Sequence, residues 1–305
     1  MAFSFLSAAA MTDTRVPSRV FPRAKQDAES ARTAVSTPQT EHPAYKLAFQ
    51  DMEFLLREDL RPVRFQLELL KPELILDEAH IGSTFVFYGS ARIPEPAKAQ
   101  AMLDMASDPV AKRRAESLVA KSHYYETARE LARLCSNFPR DEKGLRHFVV
   151  CSGGGPSIME AANRGAADVH AESIGLNIVL PHEQAPNPYV TPSLSMQFHY
   201  FALRKMHFLL RARALAAFPG GFGTFDELFE LLTLIQTGKV APIPVLLFGR
   251  EFWQRVVNFE ALVEEGVVSE RDLDIFRFVD TAAEGWAVVQ QFYRERAKQE
   301  PQPPG

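Results

Sequence analysis

Cysteine is scarce in this chain, and a strong charge bias is missing. Only Cys135 and Cys151 occur among 305 residues. Neither sits in a metal-ligand spacing, which excludes a disulfide-stapled scaffold and a thiolate zinc site and suits a reducing cytoplasm. The net charge is −4 at pH 7, so no bulk attraction to nucleic acid or to an anionic membrane is expected, and no basic–aromatic stripe changes that. No apolar run approaches the roughly 18 residues that would span a bilayer. The first residues, MAFSFLSAAAM, carry no basic residue ahead of the apolar stretch and are not expected to act as a secretory signal. His182-Glu183 opens like a zinc helix but has no second histidine, and no metal is expected. Repeat arrays and low-complexity core segments are missing as well.

What is present reads as ordinary globular composition, 46% hydrophobic and 24% charged. Residues 1–43, rich in Ser, Thr, Pro and Ala, predict a disordered tail. Residues 44–79 place Leu47, Phe49, Met52, Phe54, Leu55 and Leu56 at helical spacing, with Pro62 interrupting the run, and predict a helical extension. From 80 to 298 buried-strand patterns alternate with helical ones. The strands are TFVFYGS (84–90), HFVVCSGGG (147–155), IGLNIVL (174–180), ALAAF (214–218), IPVLLFG (243–249) and IFRFVD (275–280). One helical stretch fills 97–138 and another 250–266, while 181–198 reads as a proline-containing loop; residues 299–305 form a second tail. Apolar strands alternating with helices imply a parallel sheet covered on both faces, so the expected fold is a doubly wound, Rossmann-like α/β domain.

In such sheets ligands bind beyond the carboxyl ends of the strands. Three segments there have suitable chemistry: YGSAR (88–92), SGGGPS (152–157) and PGGFGT (219–224). Glycine lets backbone approach a ligand closely, and N–H groups opening a helix favour an anion, phosphate above all. Two clusters of three glycines exceed what a strand-to-helix turn needs. The standard nucleotide fingerprints fail, however. Ile158 and Asp226 stand where a dinucleotide motif wants its third glycine, and the pair Gly238-Lys239 lies at the far end of a helix. A dehydrogenase and a P-loop NTPase are disfavoured.

Acids follow the second cluster at once. In GTFDELFE, Glu227 and Glu230 are three apart on one helix face, with Asp226 off it. Upstream, FALRKMHFLLRAR supplies Arg204, Lys205 and Arg211, with Arg204 and Arg211 seven apart on one face. Glu160 and Asn163, on the helix after SGGGPS, are further candidates. Cys151 is expected to be simply buried rather than nucleophilic. His199, Tyr200 and Phe201 are expected to pack the start of a helix.

PGGFGTFDE matches the PGGxGTxxE signature of the LONELY GUY (LOG) family at Pro219, Gly220, Gly221, Gly223, Thr224 and Glu227, and Arg204-Lys205 lies at the family's usual distance upstream. GSARIP, GGGPSIMEAANRGA and LPHEQAPNPYVT resemble its longer bacterial branch, over roughly residues 80–295. The resemblance implies a hydrolase that cleaves the N-glycosidic bond of AMP or cytokinin riboside 5′-monophosphates, without cofactor, as a homodimer or larger assembly. It makes Arg204 and Glu227 catalytic and gives Gly220, Gly221, Gly223 and Thr224 the phosphate. Gly89, Ser90, Gly154, Gly155 and Lys205 are expected to complete the substrate site. Many relatives have glycine where this chain has Ser157, which is expected to cap the following helix. Relatives have often been labelled lysine decarboxylases, for which only Lys205 offers a hint of pyridoxal chemistry. The alternative reading is a non-catalytic nucleotide or molybdenum-cofactor carrier, which has no need of the Arg204 and Glu227 pair.

Overall fold

The computed structural model describes residues 21–32, 35–181 and 185–299. They fall into two compact units, Met1–Arg64 and Phe65–Gly305. In the first unit, short helices α1 (Ala24–Ala31), α2 (Pro38–Glu41) and α3 (Met52–Leu55) bury no residue. The helix α4 (Arg61–Glu78) starts at Pro62 rather than breaking there, because a proline in the first turn has no N–H to lose.

The second unit is built on seven parallel strands: β1 (Thr84–Tyr88), β2 (Val149–Ser152), β3 (Ile174–Ile178), β4 (Ser195–Phe198), β5 (Ala212–Ala217), β6 (Val245–Phe248) and β7 (Phe276–Val279). Their spatial order is β4-β3-β2-β1-β5-β6-β7. The chain therefore winds outward from β1 in one direction, then returns to its other side at β5. Val86 pairs with Cys151 on one flank and Leu215 on the other. Six of these strands are the expected ones. The seventh, β4, falls inside 181–198, read from the sequence as loop; its alternating burial and single edge pairing gave no continuous apolar run to detect.

Side chains on alternate strand positions face two separate cores. Phe85 and Phe87 enter one with Val150, Ala214, Ala216, Phe218 and Phe248; Val86 and Tyr88 enter the other with Cys151, Leu176, Leu215 and Ala217. The first core is covered by α7 (His123–Ser136), α8 (Ile158–Asp168) and the carboxyl-terminal α13 (Ala282–Gln299); the second by α4, α9 (Phe201–Leu210) and α10 (Phe222–Gln236). The expected helix at 97–138 is three: α5 (Pro96–Asp104), α6 (Pro109–Lys121) and α7. Asp108 caps α6 with bonds from the Val110 and Ala111 N–H groups just ahead of its proline start. The one expected at 250–266 is two, α11 (Arg250–Val256) and α12 (Phe259–Glu264), with Asn258 capping the second.

Candidate active site

The turn of the winding brings the carboxyl ends of β2, β1 and β5 side by side, and with them all three candidate loops. Ser90 ties them together through its backbone. Its N–H donates to the Pro219 carbonyl at 3.1 Å, and its carbonyl accepts from the Ile158 N–H at 3.3 Å. Gly89 lies against Ile158, with no room for a side chain. Gly89 and Ser90 thus join the loops, and the Ser90 amide is already spent on protein.

After β5 the backbone enters α10 at Gly221, which is extended and provides no side-chain cap. The first helical bond runs from the Phe225 N–H to the Gly221 carbonyl at 3.1 Å. The N–H groups of Phe222, Gly223 and Thr224 precede it, at the positive end of the helix dipole. A Cβ at Gly221 or Gly223 would meet nothing within 4 Å, so their bareness leaves the approach open. Gly220 has the opposite role, since the buried Thr224 side chain folds back onto it. The arrangement fits a phosphate monoester.

Arg204 and Glu227 meet beside this opening. Arg204 Nη1 donates to Glu227 Oε1 at 3.2 Å and Nε to the Leu176 carbonyl at 2.7 Å, while the guanidinium lies 4.9 Å over the Phe208 ring. Their side chains are 12% and 14% exposed. Burial pushes the Glu227 carboxyl up to about 7, against the lowering influence of Arg204. Desolvation wins because a single 3.2 Å bond does not replace the water a carboxylate loses. A carboxyl near half-ionisation at neutral pH can act as a base.

Lys205 is engaged between two helices. Its Nζ pairs with Asp226 and Glu230, each at 2.9 Å, in a bridge from α9 to α10 and not with the loops. Asp226 and Glu230 therefore share a cation, while Glu227 turns to Arg204, contrary to the grouping read from spacing. Arg211 also leaves the site: it binds Glu73, Asp77 and the Ile81 carbonyl. Ser157 starts α8 with no side-chain cap bond, at φ +64° and ψ −118°, a conformation suited to the glycine found in relatives.

The SGGGPS turn is held by a buried network that sequence reasoning largely missed. Asn163 Oδ1 accepts from Ser152 Oγ at 2.8 Å and from Asn187 Nδ2 at 2.9 Å. Asn187 Nδ2 also reaches the Gly154 and Gly155 carbonyls at 3.1 and 3.0 Å. The available signal was two asparagines within otherwise apolar or proline-rich stretches. Glu160 accepts from the Tyr125 hydroxyl at 2.8 Å. Tyr200 packs against Phe65 with ring centroids 4.0 Å apart and the rings tilted by 36°. Cys151 is buried, which raises its thiol far from the reactive range. His182 and Glu183 lie outside the described residues, among which no cluster fit for a metal occurs. A cavity of about 760 Å³ lined by Met206, Leu210, Leu234, Lys239 and Arg296 opens at the amino ends of β5 and β6; it holds neither the open helix start nor the Arg204–Glu227 pair.

Residues 159–289 match the family described as "Possible lysine decarboxylase". The resemblance to LOG-type proteins falls in this segment. A pyrimidine/purine nucleotide 5′-monophosphate nucleosidase of Escherichia coli K12 is 33% identical over 121 residues, 36% of this chain and 26% of that protein. A probable cytokinin riboside 5′-monophosphate phosphoribohydrolase of Oryza sativa subsp. japonica is 27% identical over 139 residues, 45% of this chain and 59% of that protein. The chain thus spans less than two thirds of either. Among solved structures, a molybdenum cofactor carrier protein from Chlamydomonas reinhardtii is 18% identical with a TM-score of 0.41, covering 70% of this chain and 99% of that one. That likeness is too slight to argue from. The matched segment contains Arg204, Glu227 and the PGGFGT loop, and begins just after SGGGPS.

Proposed function

We propose that this chain hydrolyses the N-glycosidic bond of purine nucleoside 5′-monophosphates, AMP or a cytokinin riboside 5′-monophosphate, to the free base and ribose 5-phosphate. The observation that carries the proposal is the buried Arg204–Glu227 pair one helical turn from the open N–H groups of α10. In this reading the phosphate sits on Gly220–Thr224, which sets the ribose beside Glu227. As the bond from C1′ to the base breaks, the pair of electrons leaves with the base and positive charge grows on the sugar. The ionised carboxylate stabilises that charge and takes a proton from the water that adds to C1′. The departing base takes a proton from solvent, and Glu227 later returns to solvent the proton it took from water, so one water is consumed per bond broken. Arg204 holds the carboxylate in place and keeps a fraction of it ionised.

The family's description points elsewhere, but a lysine decarboxylase needs a lysine that gives up its proton to form a Schiff base. Burial does oppose the charge on Lys205, yet its bonds to Glu230 and Asp226 outweigh that and raise its proton affinity. The residues do not fit pyridoxal phosphate. The exposed Met206 and Leu210 on α9, and separately Phe222 at 97% exposure beside the phosphate loop, are uncovered apolar surface that supports a homodimer or larger assembly. A cytoplasmic location goes with the reading, since nucleoside monophosphates are found there; among the described residues no helix is long and apolar enough to cross a membrane.

The test is incubation with AMP without added metal, with adenine and ribose 5-phosphate separated by chromatography. Release by wild type and none by Glu227→Ala supports the proposal. A wild type that binds AMP without cleaving it refutes it in favour of a carrier.

A further inference from the structure

The glycines of SGGGPS are accounted for by what side chains there would meet. At Gly153 a Cβ would stand 2.6 Å from Arg204 Nη2 and 2.9 Å from Met159 Sδ. We infer that Gly153 is a positioning residue for Arg204: the bare turn is the wall against which the guanidinium rests, and that wall keeps Arg204 on Glu227. The kinetic consequence of this inference rests on the proposed reaction, but its structural core does not.

The wall is stiff. The Gly154 N–H donates to Ser152 Oγ at 3.0 Å. The Gly154 carbonyl accepts from the Asn187 backbone N–H at 2.8 Å and from its amide at 3.1 Å, and the Gly155 carbonyl takes a third bond at 3.0 Å. Ser152 and Asn187 both lean on Asn163, which is fully buried. Gly154 itself is at φ +71°, packed against the Asn177 side chain. With the turn anchored on that side, it cannot withdraw from Arg204. The other sides of the guanidinium are closed by the Leu176 carbonyl, the Phe208 ring and Glu227.

A methyl group at 153 therefore displaces the free ends of Arg204 and Met159, which are flexible, and leaves the backbone in place. Moving Arg204 removes the cation that opposes the burial of Glu227. The other groups bearing on this carboxyl are Lys205 from α9, Asp226 and Glu230 from α10, Tyr88 from β1 and Cys151 from β2. Of these only Lys205 favours the ionised form, and it stays bound to Asp226 and Glu230. The proton affinity of Glu227 rises.

The test is a carboxyl-carbon NMR titration of the full chain, with the Glu227 signal assigned by its loss in Glu227→Gln. In Gly153→Ala the midpoint is expected to rise by about one pH unit. In Asn187→Ala, which loosens the wall without adding bulk, it rises by less. The acid limb of AMP hydrolysis follows, so kcat/KM falls about tenfold near pH 6 and the deficit narrows as pH rises. A purely structural lesion lowers activity equally at every pH. Unchanged midpoints in both variants overturn the inference. A wild type that leaves AMP intact overturns the proposed reaction alone, because the titration is still readable.

Discussion

Replacing Glu227 with glutamine is expected to abolish hydrolysis and yet to stabilise the protein at neutral pH. The carboxyl is pushed by burial from 4.5 to about 7, with Arg204 only partly restoring its acidity. Between those values the folded chain keeps a proton that the unfolded chain has released. Stability therefore falls as pH rises through this window, and the full cost of ionising Glu227 is present above pH 7. At ~1.4 kcal/mol per pH unit the gap corresponds to about 3 kcal/mol. The side chain is only 14% exposed, so solvent screening takes little of this away. Glutamine is neutral throughout, and Arg204 retains the Leu176 carbonyl as an acceptor. Urea unfolding of wild type and Glu227→Gln at pH 5 and pH 8 measures the difference, and every other titrating group cancels in the comparison. The variant is expected to gain about 2.5 kcal/mol on wild type between the two conditions, since part of the window is already passed at pH 5. A constant difference would mean that Glu227 titrates normally. A difference of opposite sign would mean that the ion pair outweighs burial, and the site would then lack a base active near neutrality.

Four further outcomes are expected. Ser157→Gly relieves a non-glycine residue at φ +64° and gains about 1 kcal/mol after the added freedom of the unfolded chain is deducted; thermal melting reads this as a rise of ~2–4 °C. Phe218→Ala removes a fully buried ring stacked on Phe248 at 4.3 Å and costs ~3–5 kcal/mol in urea unfolding. Lys205→Ala cuts only the α9–α10 bridge, so KM for AMP changes by less than about threefold; a larger rise returns Lys205 to the phosphate site. Leu210→Glu places a charge on the exposed face of α9 and lowers the mass found by sedimentation, whereas an unchanged mass moves the subunit contact elsewhere.

The winding of the sheet was legible in the sequence because strands buried on both faces read as unbroken apolar runs, as in TFVFY and VVCS. The strand β4 was not, because at the sheet's edge its exposed Gln197 interrupts the pattern. The importance of Arg204 and Glu227 followed from the family resemblance; spacing alone grouped Glu227 with Glu230 on one helix face. Residues 226, 227 and 230 all lie within about one turn of a helix, and which of them meets α9's arginine depends on how two helices cross. That angle is set by core packing and leaves no mark in a local motif. The bridge from Lys205 to Asp226 and Glu230 was out of reach for the same reason.

The two glycine clusters look alike as strings and differ as structures. In PGGFGT, Gly221 and Gly223 face open space at a helix start, so their lack of side chains serves an incoming ligand. In SGGGPS each glycine is packed against protein: Gly153 on Arg204, Gly154 on Asn177, Gly155 on Met159. In the proposed reaction, a substitution in the first cluster is expected to obstruct the phosphate and raise KM. One at Gly153 is expected to move Arg204 and so to change the pH at which the Glu227 carboxyl titrates. The distinction was out of reach for sequence reading because glycine serves close approach in both cases, and only the neighbour's identity separates a cradle from a wall.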